Sequence, residues 1–304
     1  MTKDNALGSP SIDVVIPTIG REALRRAVES VSRQTIKCRP IVVLDRLDAK
    51  GDVQELLSAY DHILLTTGGD EGAPTARNLG SSFSQSDFVA FLDDDDWWVP
   101  NKIERQLCAI ANASDRIFCA TAMGFHRSPA VVKVPTCAPL ADMSAASYLV
   151  QRPKLKYGTN AIQTSSLLVS RTLVDEISWD TSLKKHQDWD YIIRLLQTPG
   201  IQFYWTDEVL VHVAQGSLGS ISKTPRWQAS AQFLEKHRNQ MSDRAIADFA
   251  WTQILRSSIA ALDFEGVKHA IRAHGLRTPH LAATVVGLSG ILNAARTIRR
   301  APLS

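Results

Sequence analysis

Short apolar runs that alternate with amphipathic segments fill the first hundred residues of this 304-residue chain. The apolar runs lie at residues 12–16, 41–45, 62–67 and 88–92. Between them, residues 21–34 and 52–60 carry apolar side chains at helical spacing, and a glycine-rich segment after residue 67 leads into a short helix. Continuously apolar strands alternating with helices predict an α/β fold, with a doubly wound, Rossmann-like and mostly parallel sheet flanked by helices.

The pattern changes beyond residue 100. It predicts a helix at about 100–112, strands at 117–125, 162–170, 201–205 and 208–213, and a helix at 186–197. The Pro-, Ala- and Ser-rich segment between the first two of these strands has no assignable period. From residue 225 onward only helical periods remain, and residues 243–275 resemble a single helical hairpin. We therefore predict an α/β domain over residues 1–220 and a helical C-terminal appendage over residues 221–304.

The composition, 44% hydrophobic and 21% charged, is that of a soluble globular protein. A net charge of +3 argues against a dedicated nucleic-acid binder, which would carry a strongly basic face. Four widely spaced cysteines without a C-x-x-C pair predict reduced thiols in a cytoplasmic protein, and neither a zinc site nor a disulfide framework. No apolar run is long enough to span a bilayer, and the first residues lack a signal-peptide pattern.

Four consecutive aspartates, Asp93–Asp96, follow the fourth predicted strand in the sequence FLDDDDWWVP. Ligands bind doubly wound sheets at the carboxyl ends of the strands, which is where these residues lie. Asp45 ends the second predicted strand and Pro17-Thr18 ends the first. Three strand ends therefore bring polar groups to one crevice.

A divalent cation, Mg²⁺ or Mn²⁺, would account for these adjacent carboxylates, because they repel one another unless a cation neutralises them. Such cations take oxygen ligands and usually complete their shells with phosphate oxygens. The competing interpretation is an exposed acidic turn whose charges are merely solvated. The apolar flanks should hold the turn tightly and favour the first interpretation, so the sequence predicts a metal–phosphate site.

Five segments resemble motifs of glycosyltransferase family 2, in the family's order over residues 12–218. They are VIPTIGR (15–21), the IVVLD strand (41–45), GAPTARNLG (72–80), FLDDDDWWVP (91–100) and HQDWD (186–190). The resemblance implies a GT-A fold and metal-dependent, inverting transfer of a sugar from a nucleotide-diphosphate donor, by family habit a UDP-sugar. The expected acceptor is a hydroxyl of a glycan or lipid-linked molecule, in the synthesis of cell-surface polysaccharide or glycoconjugate.

The resemblance also implies roles for residues at the first four strands. The expected nucleotide-binding residues are Pro17, Thr18, Arg21, Asp45, Arg77, Asp94 and Asp95. Asp93 and Asp95 match the family's D-x-D pair, with Asp95 as the expected metal ligand. The run of four leaves the register open, because Asp94 and Asp96 form a second D-x-D pair and Asp96 is then a candidate ligand as well.

A histidine near the end of the last strand is a further metal ligand in many members of the family. The register places Ala214 there, and His212, two residues earlier on the same strand face, is the candidate replacement. A structural histidine is the alternative interpretation of His212.

Asp188 in HQDWD matches the family's catalytic base, and Gln187 stands where a glutamate is usual. The alternative for Asp188 is an N-terminal helix cap. The expected acceptor or sugar subsite contains Trp98, His186, Gln187 and Asp190. Two simpler interpretations stay open, namely that the tryptophans pack in the core and that Asp190 pairs locally.

Two other functions compete with glycosyl transfer. A nucleotidyltransferase shares the sheet, the metal and the nucleotide, but its first strand is usually followed by a glycine-rich, basic loop, whereas PTIGREALRR has one glycine. A non-catalytic nucleotide-sugar-binding module is the second alternative, and the intact aspartates count against it.

Residues 281–300 combine apolar side chains with a basic end, as helices that lie on membrane surfaces do. Packing against the preceding helices is the favoured prediction, since the polar residues do not form one wide face. A peripheral contact with the inner face of the membrane is the alternative. The sequence does not indicate an oligomeric state.

Overall fold

A computed structural model describes residues 10–110, 115–127, 130–137, 139–140, 143–156, 158–214 and 227–300. The described residues fall into two compact units. Unit 1 lies within Met1–Lys133, Gln163–Thr181 and Arg194–Gln215, and unit 2 within Val134–Ile162, Ser182–Ile193 and Gly216–Ser304. The predicted boundary at residue 220 lies outside the described residues, and unit 2 takes two segments from before it.

Nine strands form a single sheet within the described part of the chain. They are β1 (Ile12–Thr18), β2 (Arg39–Leu44), β3 (Ile63–Thr66), β4 (Phe88–Phe91), β5 (Trp97–Trp98), β6 (Ile117–Arg127), β7 (Ala130–Val134), β8 (Leu168–Ser170) and β9 (Gln202–Ala214). The strand order is β3-β2-β1-β4-β8-β6-β9-β5, and β7 pairs with β6.

The first four strands are parallel, as predicted. Beyond β4 the sheet is mixed, because β8 runs antiparallel to both β4 and β6, and β5 runs antiparallel to β9. The strands β6 and β9 are parallel to each other. The carboxyl ends of β1, β2 and β4 therefore lie at one edge of the sheet, where ligands bind in sheets of this type, and the predicted α/β fold is confirmed.

The first strand continues through Pro17, whereas the sequence predicts that it stops there. Pro17 aligns with Val43 of β2, and Thr18 accepts a hydrogen bond from the backbone N–H of Asp45. Pairing of β1 with β4 ends at Val15. Backbone groups alternate in direction along a strand, so an N–H at position 17 would point toward β4 rather than toward β2. Because pairing with β4 ends before Pro17, the missing N–H costs no strand pairing with β4.

Thirteen α-helices lie within the described residues. They are α1 (Leu24–Ser32), α2 (Lys50–Leu56), α3 (Ala73–Phe83), α4 (Lys102–Ala109), α5 (Ala145–Val150), α6 (Arg171–Glu176), α7 (Gln187–Gln197), α8 (Trp227–His237), α9 (Asp243–Phe249), α10 (Arg256–Ala260), α11 (Phe264–His274), α12 (Leu281–Leu288) and α13 (Gly290–Arg300). In unit 1, α1 and α3 pack on β1 and β2. Gly80 allows α3 to approach closely, since a Cβ there would lie 2.5 Å from Val15 Cγ1.

Unit 2 is helical, which confirms the predicted C-terminal helical region. A π-helical segment, Ala250–Leu255, joins α9 to α10 in one continuous helical run, on which α8, α11 and α12 pack. The buried Asp248 ties this run to its neighbours by accepting hydrogen bonds from the backbone N–H groups of Arg152 and His280. Among the described residues, no helix is both long and apolar enough to cross a bilayer.

Candidate active site

The four aspartates form a turn directly after β4, closed by a hydrogen bond from the backbone N–H of Asp96 to the carbonyl of Asp93. Their side chains alternate in exposure. Asp93 and Asp95 are 27% and 20% exposed, whereas Asp94 is 5% exposed and Asp96 is buried. The alternation favours Asp93 and Asp95 as the D-x-D pair that faces a ligand.

Asp94 is an internal link between the turn and the end of β1. Its carboxylate accepts a hydrogen bond from the Thr18 hydroxyl at 2.7 Å and from the Arg21 guanidinium at 2.9 Å. Burial raises the pKa of Asp94 to about 6, although these two donors act in the opposite direction. Asp94 therefore holds Thr18 and Arg21 in place.

Asp96 is enclosed, and each of its carboxylate oxygens accepts an internal hydrogen bond. The Ser165 hydroxyl donates to one oxygen at 2.6 Å, and the backbone N–H of Ala214 donates to the other at 3.1 Å. Burial, together with repulsion from Asp93 and Asp95, raises the pKa of Asp96 well above its ordinary value. This placement does not support Asp96 as a metal ligand, because both oxygens already have partners inside the protein.

Ser165, which the sequence analysis missed, anchors both ends of the turn. Its hydroxyl oxygen also accepts a hydrogen bond from the backbone N–H of Asp93 at 3.1 Å. The residue lies in a short 3₁₀ turn, Thr164–Ser166, within a segment predicted to be a strand. No sequence motif marks it, since the serine acts through long-range contacts alone.

We expect Ser165→Ala to lower the free energy of unfolding by about 1–3 kcal/mol, because it leaves the Asp96 carboxylate and the Asp93 N–H each one partner short. Urea unfolding measures the change. Ser58→Ala is the matched control, since the Ser58 hydroxyl donates only to the carbonyl of Glu55 in an exposed helix end. Equal stability of the two variants would contradict the assigned role of Ser165.

Arginine side chains surround the exposed pair of aspartates. Arg77 of α3 donates to Asp93 at 2.6 Å, and its guanidinium lies 4.5 Å from the centroid of the Trp179 ring. Arg21 lies 3.9 Å from the Asp95 carboxylate, and Arg26 donates to the Asp95 carbonyl at 2.9 Å. The guanidinium groups of Arg77 and Arg21 therefore lie close to the two partly exposed carboxylates of the turn.

The fit of a metal ion to this turn follows from the number of available ligands. Within the described ranges, no group of three or more His, Cys, Asp or Glu side chains is arranged to hold a metal ion. Asp93 and Asp95 offer two accessible carboxylates. Mg²⁺ and Mn²⁺ fit such a site, because Mg²⁺ commonly uses one or two protein carboxylates and takes its other ligands from phosphates and water.

Asp45, at the end of β2, organises the loop that precedes α3. Its carboxylate accepts hydrogen bonds from the Thr67 hydroxyl, from the Glu71 N–H at 3.0 Å and from the Gly72 N–H at 2.7 Å. Asp45 is buried. The position agrees with the predicted crevice, and the loop contacts explain how Asp45 fixes the start of the helix that carries Arg77.

Trp98 is buried and does not present its ring to a sugar, which corrects the predicted stacking role. Its indole N–H donates to the Ser165 carbonyl at 2.8 Å, and the Lys102 ammonium lies 3.8 Å from the ring centroid. Burial lowers the pKa of Lys102 to about 7. The core interpretation left open for the tryptophans therefore holds for Trp98.

His212 pairs with another histidine. Its Nδ1 lies 3.0 Å from Nε2 of His126 on β6, and its ring stacks on Trp97. Burial, and then the nearby His126 and Arg26, lower the pKa of His212. This arrangement supports the structural interpretation of His212 rather than the predicted role as a metal ligand.

Unit 2 carries the HQDWD segment at the start of α7. His186 precedes the helix with a positive φ of 60°, a conformation that costs a non-glycine residue about 1–3 kcal/mol. Its Nε2 lies 2.9 Å from the Ser230 hydroxyl of α8, and its ring stacks on Trp189. Burial and the neighbouring Lys185 hold the pKa of His186 well below its ordinary value. His186 is therefore a neutral anchor of the helix start.

Asp190 is fully buried, which corrects the prediction that it contacts an acceptor. Its carboxylate lies 2.6 Å from the Lys236 ammonium and 2.9 Å from His237 Nε2, both at the end of α8. Local pairing, the alternative left open, describes this residue. Gln187 is half-buried and donates to the Leu183 carbonyl at 2.8 Å.

Asp188 lies in the first turn of α7 and is half-buried, between the two anchored residues. The helix begins at Gln187, so Asp188 is its second residue rather than its cap. A carboxylate in the first turn is stabilised in its ionised form by the helix dipole. Asp188 therefore lies at the end of α7 where the helix dipole favours an anionic side chain.

The fold and the aspartate turn place the chain among the glycosyltransferases of the GT-A fold, and comparison with known proteins agrees. S. aureus TarS 1–349 in complex with UDP-GlcNAc matches with a TM-score of 0.58 and 13% identity, over 92% of this chain and 91% of that one. A mannosyltransferase from Pyrobaculum calidifontis, in complex with GDP-Man and Mn²⁺, matches with a TM-score of 0.54 and 13% identity, over 95% and 76%.

The chain belongs to glycosyl transferase family 2, whose family model matches residues 13–176. A relative from Escherichia coli (strain K12), named provisionally as the colanic acid biosynthesis glycosyl transferase WcaA, is 25% identical over 78% of this chain and 84% of its own length. The family resemblance inferred from the sequence motifs is thereby confirmed, and the chain is a glycosyltransferase.

Proposed function

We propose that the chain transfers a sugar from a nucleotide-diphosphate donor, most simply a UDP-sugar, to a hydroxyl of a glycan or lipid-linked acceptor. The observation that carries this proposal is the aspartate turn, in which Asp93 and Asp95 are accessible while Asp94 and Asp96 are internal supports. The UDP-GlcNAc in TarS supports a nucleotide-sugar donor. The name of the E. coli relative, which refers to colanic acid biosynthesis, supports a role in polysaccharide synthesis.

The nucleotide subsite of this proposal lies at the ends of β1, β2 and β4. Thr18 and Asp45 line the base and ribose side, and Arg21 and Arg77 supply positive charge for the diphosphate. Asp95, with Asp93, would hold a Mn²⁺ or Mg²⁺ ion. Such an ion neutralises the charge that develops on the departing diphosphate.

Asp188 acts as the general base in this proposal. Its carboxylate takes the proton of the acceptor hydroxyl as that oxygen bonds to the anomeric carbon. The bond between the anomeric carbon and the diphosphate oxygen breaks, the nucleoside diphosphate leaves with the electron pair, and the configuration inverts. Anchoring of the flanking residues His186 and Asp190 keeps the carboxylate in position.

A panel of nucleotide sugars, incubated with the protein, Mn²⁺ and candidate acceptors, tests the proposal. Release of nucleoside diphosphate with one donor, together with a glycosylated product, is the expected result. Release of pyrophosphate from a nucleoside triphosphate and a sugar phosphate would instead establish a nucleotidyltransferase. Tight donor binding without any turnover or hydrolysis would establish a binding module.

We also propose that this reaction takes place in the cytoplasm. All four cysteines, Cys38, Cys108, Cys119 and Cys137, are free thiols in the structure. Free thiols are typical of reducing compartments. The nucleotide-sugar donor would be used in the same compartment.

Asp45→Ala is expected to raise the KM for the donor by roughly tenfold while changing kcat less, because contacts that hold ground and transition states alike affect binding alone. The physical cause is loss of the Asp45 carboxylate, which accepts the hydrogen bonds that order residues 67–72. Steady-state kinetics with varied donor measures both constants. Asp48→Ala, which removes an exposed carboxylate from the neighbouring turn, should leave them unchanged. An unaltered KM in Asp45→Ala would remove this residue from the nucleotide subsite.

A further inference from the structure

Large apolar side chains are exposed on the last helices of unit 2. Of fifteen such exposed side chains among the described residues, nine lie beyond residue 260. Four of them, Leu281, Val285, Leu288 and Leu292, are between 46% and 80% exposed. Their spacing of four, three and four residues places them on one side of α12 and the start of α13, which we call the α12–α13 face.

The opposite side of α12 is built from small residues. Ala282 and Ala283 are buried, and Gly287 lies against Trp251, where a Cβ would come within 2.8 Å of the indole ring. A helix that packs only on its neighbours turns its large apolar residues toward them. In α12 the small residues face the neighbouring helices and the leucines face outward. The predicted packing of residues 281–300 on the preceding helices therefore explains the small residues but not the exposed leucines.

The charge of the same region is strongly asymmetric. Residues 264–304 hold six Lys or Arg and one acidic residue, whereas residues 1–263 hold 28 Lys or Arg and 30 Asp or Glu. Three of the six, Arg296, Arg299 and Arg300, occupy the last two turns of α13.

We propose that the α12–α13 face binds the surface of an anionic lipid bilayer. The leucines would enter the boundary between headgroups and acyl chains, and the excess of basic residues over positions 264–304 would favour anionic headgroups. A second copy of the chain is the poorer occupant, because pairing this face with itself would bring two strongly basic segments together. The inference is independent of the proposed reaction, although a lipid-linked acceptor would be reached most directly from such a surface.

Co-sedimentation of the full chain with vesicles tests this inference, without donor or acceptor. Vesicles of phosphatidylcholine and phosphatidylglycerol should bind the protein, and added salt should weaken the binding. Leu288→Glu/Leu292→Glu should reduce the affinity for vesicles on the order of 100-fold, because each exposed leucine would contribute a large part of the free energy gained by burying apolar surface in the bilayer. Leu155→Glu, at an equally exposed leucine in another segment, should bind as the parent protein does.

Three results would overturn the inference. Absence of binding to the anionic vesicles would remove the bilayer as the occupant. Equal binding to pure phosphatidylcholine vesicles would remove the role of the basic residues. A dimer that forms in sedimentation velocity without lipid, and that Leu288→Glu/Leu292→Glu dissociates, would assign the face to a second copy instead.

Discussion

Asp188→Asn is expected to reduce sugar transfer by about 10²–10⁴-fold, the usual contribution of a positioned general base. Asparagine keeps the shape of the side chain and removes its basicity. The start of α7 is anchored by His186 and Asp190 rather than by this residue alone, so the variant should fold. Single-turnover transfer and calorimetric binding of the donor measure the two consequences separately.

The control for this variant is Asp175→Asn, which removes an exposed carboxylate from α6. It should transfer sugar at the parent rate. If Asp188→Asn also retained turnover within a few-fold of the parent protein, inverting catalysis through Asp188 would be untenable. Loss of donor binding in the same variant would indicate a structural role instead.

Asp95→Asn is expected to weaken nucleotide binding in the presence of Mn²⁺ by about 100-fold or more, because removal even of outer-shell partners typically costs 10–100-fold in metal affinity. Its carboxylate is partly exposed and lies 3.9 Å from its nearest cationic partner, Arg21, so the free energy of unfolding should change little. Asp94→Asn, one residue away, should differ from Asp95→Asn in its effect on stability. It disturbs the buried contacts with Thr18 and Arg21 and should lower stability by about 1–3 kcal/mol.

Isothermal titration of the nucleoside diphosphate, with Mn²⁺ and with a chelator, measures the change in nucleotide affinity. Urea unfolding measures the change in stability. Equal affinity of the parent protein with and without the metal would refute the assignment of Asp93 and Asp95. Equal loss of stability in both variants would mean that the alternation in exposure has no functional meaning.

The parallel half of the fold could be predicted from the sequence because each strand is a continuous apolar run. The mixed half could not. The strand β5 is only two tryptophans long and exists through its pairing with β9. The polar residues after Trp205 predict a break between two strands, whereas β9 continues through them with an irregular register against β6. Local pattern does not encode pairing of this kind.

In the candidate site, too, local sequence pattern predicts some features, and others depend on contacts between residues far apart in the chain. The strand ends place Asp45 and the aspartate run correctly, because period and position are local properties. Which aspartates face outward depends on Ser165, Thr18 and the backbone of Ala214, which lie between 69 and 118 residues away along the chain. The motif match placed Trp98 and Asp190 in the acceptor subsite, although tertiary packing buries both.

The discontinuity of unit 2 has a consequence for folding and for truncation. The segment that carries Asp188 belongs to the same unit as α8, and Asp190 must find Lys236 and His237 across more than 40 intervening residues. Contacts between such distant residues form late, because closing a long loop costs entropy before any contact is gained. A fragment cut near residue 220 would lack Ser230, Lys236 and His237, so the buried Asp190 carboxylate would lose its contacts with Lys236 and His237, and His186 would lose its contact with Ser230. The smallest piece of this protein that can hold the proposed base, Asp188, in place therefore extends through α8, well past the last residue of β9.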